Sequence, residues 1–269
     1  MIRTLLVSAA AALTAGSAAA QVDYTAMMQT QMDNMSYTAM TNVGVASMCG
    51  HPGVCDEGDR APSSPATGMQ AMDWLQASEA ARSENLSPAD FSYRRDPAVT
   101  ASVEADILQD ARERDPQAAR ELEAAFRRTD IVEEFDRGMR EFDLSGNDLA
   151  DAFTAYWVLN WMVVNGIPSG EEARSPSHDE VRAVRDQLAL AMTRNPGVQS
   201  MDAAQRQEMT ESLIYNFMIL DGAHMQASRP GNEAAFRELS DVWRLHGQRI
   251  LGVDLRELEL TARGFERRG

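Results

Sequence analysis

Two carboxylates, Asp148 and Asp151, lie three residues apart at the start of a segment that the sequence pattern predicts as helical. Residues at this spacing share one side of a helix, and a pair of carboxylates can supply the acid and the base of glycoside hydrolysis. Negative charge at a helix N-terminus is also favourable without any catalysis. The pair is therefore open to two interpretations, a carboxylate-based cell-wall or polysaccharide hydrolase and simple stabilisation of the helix.

Aromatic and amide side chains follow in the same segment. Tyr156 and Asn160 are four residues apart, as are Trp157 and Trp161, so each pair can share a helical face. Aromatic faces with an amide can bind a sugar or a peptide. The pattern predicts a ligand groove formed by Tyr156, Trp157, Asn160, Trp161, Asp148 and Asp151. The alternative is an ordinary core helix, in which the buried Asn160 amide would need hydrogen-bond partners.

Methionines are frequent near the start of the chain. Met28, Met32 and Met35 have helical spacing, and His51 follows them. Thioether and imidazole groups bind soft metals such as Cu(I), so one hypothesis is copper binding by Met28, Met32, Met35 and His51. The other interpretation is that the methionines form the flexible apolar face of a short helix.

Cys49 and Cys55 are the two cysteines of the chain, and the segment between them contains Gly50, Pro52 and Gly53. A close cysteine pair in an exported protein is typical of a disulfide, and the glycines and proline allow so short a loop to close. A metal site that uses His51 is the weaker alternative, because two Cys and one His do not complete a four-ligand zinc site.

Several chemistries are excluded or unsupported by composition. All 25 basic residues are Arg, so Lys Schiff bases, Ser-Lys dyads and phosphate loops that end in Gly-Lys-Ser/Thr are impossible. The four histidines form no HExxH motif. A net charge of −16 disfavours binding to nucleic acid, which needs basic clusters. We expect no cofactor.

The first twenty residues have the pattern of a secretory signal peptide. Arg3 precedes an apolar run, and Ala18-Ala19-Ala20 forms the cleavage site before Gln21. The apolar run is too short for a comfortable membrane span, and no longer one follows. We therefore expect export to the periplasm or the extracellular space without stable membrane insertion. The predicted organisation is a signal peptide at 1–20, a Met-rich, flexible segment and linker at 21–69, and a helical domain at 70–269.

The domain at 70–269 shows helical spacing almost throughout. The pattern predicts an all-α fold, an irregular bundle of about eight helices, without a convincing strand and with one turn of helix and a docked end at the C-terminus. Asn147 is the predicted N-cap of a helix that runs to Val164. Because this helix is apolar most of the way round, it is the predicted centre of the domain.

The run from Asn147 to Val158, with sequence NDLADAFTAYWV, resembles the signature of a family of uncharacterised exported bacterial proteins that have a domain of unknown function. Asn195-Pro196, the run 202–208 and the C-terminal run 252–265 fit the same pattern in the same order. The resemblance covers about Phe91 to Phe265. It implies the helical fold and export, and it implies no catalytic residue.

These observations together predict an exported, non-enzymatic binding or protein-interaction module. Copper binding by the Met-rich segment and carboxylate-based hydrolysis stay open as alternatives.

Overall fold

The computed structural model describes residues 74–114, 116–169, 175–251 and 253–269. This part of the chain is an α-helical bundle with one small β-hairpin at its C-terminus. The helices are α1 Trp74–Ser83, α2 Pro97–Arg114, α3 Pro116–Phe126, α4 Ile131–Met139, α5 Leu149–Val164, α6 His178–Thr193, α7 Pro196–Gln199, α8 Ala203–Ala227 and α9 Glu233–Leu251. Short 3-10 turns span Arg140–Phe142 and Leu255–Glu257, and the hairpin strands are β1 Leu258–Thr261 and β2 Gly264–Arg267. The all-α prediction is confirmed.

Helix α5 is the centre of the core. Fifteen of its sixteen residues are buried, and it packs against α8, α6 and α9. Its sequence explains this position, because a helix without a continuous polar face loses stability unless neighbours cover it on several sides. Two rings buried deep on α5, those of Phe153 and Trp157, contact each other edge to face with centroids 5.7 Å apart.

Polar residues at the helix starts satisfy the free backbone N–H groups there. Asp130 caps α4. Ser177 and Asp202 form capping boxes with Glu180 and Gln205 at the starts of α6 and α8. The prediction that Asn147 caps α5 is wrong by one residue: the side chain of Asp148 accepts from the amides of Ala150 and Asp151. The negative charge of the Asp148 carboxylate also interacts favourably with the positive end of the helix dipole.

The C-terminal tail differs from the prediction that the chain has no convincing strand. A 3-10 turn at Leu255–Glu257 leads into an antiparallel pair in which Leu260 faces Phe265 and Thr261 faces Gly264. Each strand has only four residues. Such a hairpin is too small to be stable alone, and it is stabilised by docking on α6.

No helix in the four described ranges has both the length and the apolarity that crossing a bilayer requires. The predicted signal peptide at 1–20, the Met-rich segment at 21–69 and the Cys49–Cys55 pair lie outside the described residues.

Because α5 is buried, truncating one of its core rings should strongly destabilise the fold. Phe153→Ala removes a fully buried side chain and leaves a cavity, so the free energy of unfolding should fall by about 3–5 kcal/mol. Leu245→Ala is the control, because Leu245 is 56% exposed on α9 and its truncation should cost less than about 0.5 kcal/mol. Chemical denaturation measures both. Equal losses in the two variants would contradict a core centred on α5.

Candidate functional site

The structure brings the predicted carboxylate pair together with a cation. Asp151 Oδ1 accepts from Nε of Arg185 at 2.9 Å, and Nη2 of the same guanidinium lies 3.6 Å from Asp148 Oδ2. Asp151 Oδ2 also accepts from the amide of Ser145. Burial raises the pKa of Asp151, and the hydrogen bond from Arg185 opposes this rise. With one carboxylate capping α5 and the other bound to Arg185, the pair is engaged in holding the start of α5.

The aromatic and amide residues of the predicted ligand groove are inside the core. Trp157 and Asn160 are almost fully buried, and Tyr156 and Trp161 retain only a few per cent of exposure. Asn160 Nδ2 donates to the carbonyl of Tyr156, and Trp161 Nε1 donates to the carbonyl of Leu258 at 3.0 Å. A ligand would reach these four side chains only if the surrounding helices moved. The groove on these residues stays a prediction.

An open cleft lies elsewhere, between α1 and the C-terminal hairpin. Its volume is about 380 Å³. Helix α1 contributes one face to the wall, and β2 with its turn contributes the opposite wall. The lining residues are Leu75, Gln76, Glu79, Arg82, Gln187, Arg263, Phe265, Glu266 and Arg267. Both walls pack on α6, which provides Gln187 between them.

The two walls meet at the turn of the hairpin, where Arg82 Nη2 donates to the carbonyl of Arg263 at 3.3 Å. On the strand side, Arg263 donates to Glu266 from Nε and Nη2, each at 3.0 Å. The hydrogen bond from Arg263, and a further one from Thr261, lower the pKa of Glu266. The cleft therefore contains charges of both signs above apolar surface from Leu75 and Phe265.

Gln187 fixes the strand wall in place. Its carboxamide donates from Nε2 to the carbonyl of Phe265 at 3.0 Å and accepts at Oε1 from the amide of the same residue at 2.9 Å. The neighbouring Gly264 has φ +101°, and a Cβ there would lie only 2.6 Å from Gln187 Oε1. Glycine is thus required by both conformation and close approach.

A second polar cluster is buried between α2 and α8. Glu211 is fully buried, and its Oε1 accepts from Thr100 Oγ1 and Gln207 Nε2, both at 2.9 Å. Arg95 lies 3.3 Å from the same oxygen and also binds Asp130 at 2.7 Å. Burial raises the pKa of Glu211, and the hydrogen bonds from Gln207 and Thr100 partly oppose it. This cluster joins the segment before α2 to α4 and α8.

Two titratable groups of α8 lie near its C-terminal half. Burial raises the pKa of Asp221 to about 7. Burial lowers the pKa of His224, whose Nε2 is 2.8 Å from the carbonyl of Ile167. The sequence pattern gave no signal for Asp221, because a single Asp in a helical stretch resembles any solvent-facing position.

In the described ranges, no group of three or more His, Cys, Asp or Glu side chains converges in a way that could hold a metal ion. The copper hypothesis for Met28, Met32, Met35 and His51 concerns residues outside those ranges and stays a prediction. Sequence reasoning missed the cleft, because its walls come from residues about 180 positions apart along the chain.

The two hydrogen bonds of Gln187 predict that the hairpin depends on an amide at this position. In Gln187→Glu, the charged side chain cannot donate to the Phe265 carbonyl, so the free energy of unfolding should fall by about 2–3 kcal/mol. The control is Gln248→Glu, which adds the same charge at an exposed position of α9. Hydrogen exchange of the β1 and β2 amides should accelerate only in Gln187→Glu. Unchanged exchange would show that Gln187 does not hold the hairpin.

The raised pKa of Asp221 predicts a pH-dependent gain from Asp221→Asn. The folded pKa of Asp221 lies above the ordinary value of 3.8. Below pH 3.8 the carboxyl is neutral in both the folded and the unfolded state, and it does not destabilise the fold. As pH rises from there through 7, the buried group has to become charged, and the stability of the fold falls. The variant should match the wild type at pH 4 and exceed its unfolding free energy by about 1–3 kcal/mol at pH 8. Denaturation across this range, with exposed Asp186→Asn as control, is the measurement. If the difference in unfolding free energy between the variant and the wild type did not change with pH, the raised pKa of Asp221 would be refuted.

Comparison with known proteins adds a family and no function. No curated protein matches the chain, and no solved structure matches it. One family model aligns with residues 2–268, which is nearly the whole sequence. The chain therefore belongs to DUF6683, a family of unknown function.

Proposed function

We propose that this protein is an exported, non-enzymatic binding module that holds a small ligand in the cleft between α1 and the C-terminal hairpin. The observation that carries the proposal is the cleft itself. Its volume of about 380 Å³ lies within the range of small-molecule sites, roughly 300–1,000 Å³. Five of its nine lining residues are charged and two, Leu75 and Phe265, are apolar, so the cleft is more polar than most small-molecule sites and offers several groups that can fix the orientation of a ligand.

The rigidity of the cleft supports binding. Gln187 ties the backbone of β2 to α6 by two hydrogen bonds, and α1 packs along the same helix. A preformed site loses less conformational entropy when a ligand binds, so even a small cleft can reach useful affinity.

The engagement of the buried carboxylates supports a role other than catalysis. Asp148 caps α5, Asp151 is bound by Arg185, and Oε1 of Glu211 accepts hydrogen bonds from Thr100 and Gln207. In these contacts the three carboxylates hold structural elements in place. The hydrolase alternative would require Asp148 or Asp151 to leave such partners. Export is proposed from the signal-peptide pattern of the first twenty residues.

A side chain that fills the cleft tests the proposal. Glu79 is an exposed residue of α1 on the cleft wall, so Glu79→Trp should block the cleft without disturbing the core. Glu238→Trp places the same indole on an exposed position of α9. The panel consists of free amino acids, short peptides, mono- and disaccharides and short carboxylic acids, with binding measured as a rise in melting temperature and then by calorimetry.

At least one class should bind to the wild type and to Glu238→Trp, with at least tenfold weaker binding to Glu79→Trp. The proposal fails if no class binds, or if the filled cleft binds as well as the open one.

A further inference from the structure

The wall of the cleft contains an acid and a base that do not pair with each other. Glu79 and Arg82 are three residues apart on α1, a spacing at which opposite charges can form an ion pair on the helix surface. Arg82 instead donates to the carbonyl of Arg263. Within the described part of the chain, Arg82 has no salt bridge, although its charge helps to lower the pKa of Glu266, and the side chain of Glu79 has neither a hydrogen bond nor an ion pair. Both charges line the cleft.

Two of the charges on the opposite wall are already matched with each other. Arg263 and Glu266 bind each other through two hydrogen bonds of 3.0 Å, and Thr261 Oγ1 donates to Glu266 at 2.8 Å. A ligand that approached this pair would have to break an existing interaction. Glu79 and Arg82 are therefore better placed to contact a ligand, one through its positive group and the other through its negative group.

The apolar part of the lining lies beside these charges. Leu75 is one helical turn before Glu79, and its side chain is half-buried, while Phe265 from β2 is packed against the core. A ligand bound between Glu79 and Arg82 would therefore cover apolar surface, and a hydrocarbon side chain on the ligand would add favourable burial.

The spacing of the two charges suggests the length of the ligand. Helical residues three apart have Cβ atoms about 5–6 Å from each other. Consecutive α-carbons of a peptide are about 3.8 Å apart, and the terminal ammonium and carboxylate of a dipeptide each lie one bond of about 1.5 Å beyond them, so an extended dipeptide separates its two charged groups by a comparable distance. We propose that the ligand is a short apolar peptide with free termini, whose carboxylate binds Arg82 and whose ammonium binds Glu79. This inference rests on the proposed function of the cleft.

Three dipeptide probes separate the two charges: Leu-Leu, N-acetyl-Leu-Leu, which lacks the ammonium, and Leu-Leu-amide, which lacks the carboxylate. Calorimetry on the whole protein should show that Leu-Leu binds at least tenfold more tightly than either blocked form. In Arg82→Gln, Leu-Leu and Leu-Leu-amide should bind equally, because the partner of the carboxylate is gone. In Glu79→Gln, Leu-Leu and N-acetyl-Leu-Leu should bind equally for the matching reason. Arg237→Gln and Glu238→Gln, at exposed positions of α9, should leave the preference unchanged.

The outcomes distinguish this inference from the proposed function. If all three probes bind equally and Glu79→Trp blocks them, the cleft is a ligand site but the zwitterion inference is overturned. The same holds if Leu-Leu fails to bind while another class from the panel binds in the cleft. If filling the cleft weakens the binding of no compound, both the proposed function and this inference are overturned.

Discussion

The constraint on which the rest of the structure depends is that α5 must be covered on every side. A helix with fifteen buried residues out of sixteen also has to bury its polar side chains, and two of these donate to carbonyls four residues earlier. Thr154 Oγ1 donates to Ala150, and Asn160 Nδ2 donates to Tyr156. Such local bonds satisfy these two donor groups without a partner from another helix. The facing surfaces of α6, α8 and α9 can therefore remain largely apolar.

Two glutamines join non-helical segments to this helical core by the same device. Gln187 of α6 binds both the N–H and the carbonyl of Phe265, and Gln207 of α8 binds both the N–H and the carbonyl of Asp96. A primary amide has its oxygen and one of its two N–H groups on the same side, so it can pair with both the N–H and the carbonyl of one residue. Each glutamine thus takes the place of a neighbouring strand for one residue. The strand wall of the cleft and the start of α2 are both positioned in this way.

The helices could be predicted because their signals are local. Asp130, Ser177 and Asp202 each precede a helix whose apolar spacing is evident in the sequence. The cap of α5 was misplaced because Asn147 and Asp148 are both good N-cap residues, and neighbouring residues are distinguished only by backbone geometry. The hairpin was missed because strands of four residues are too short to show alternation.

The cleft could not be predicted because Arg82 and Arg263 meet only after α1 and the tail have both packed on α6. Residues such as Trp157 and Trp161 have the same spacing in a binding surface and in a core, so their burial emerged only from the three-dimensional structure.

The exclusive use of arginine as the basic side chain has a consequence for how the fold responds to its surroundings. Apart from the contacts of His178, every salt bridge in the described ranges has a guanidinium as its cation, and a guanidinium is not deprotonated in proteins. Burial alone would raise the pKa of Asp254, but the hydrogen bond from Arg244 lowers it, so this pair weakens only when acid protonates the carboxylate. The arginine salt bridges are therefore sensitive to acid and not to alkali. Lowering the pH breaks them as each carboxylate is protonated, whereas raising the pH leaves both partners charged.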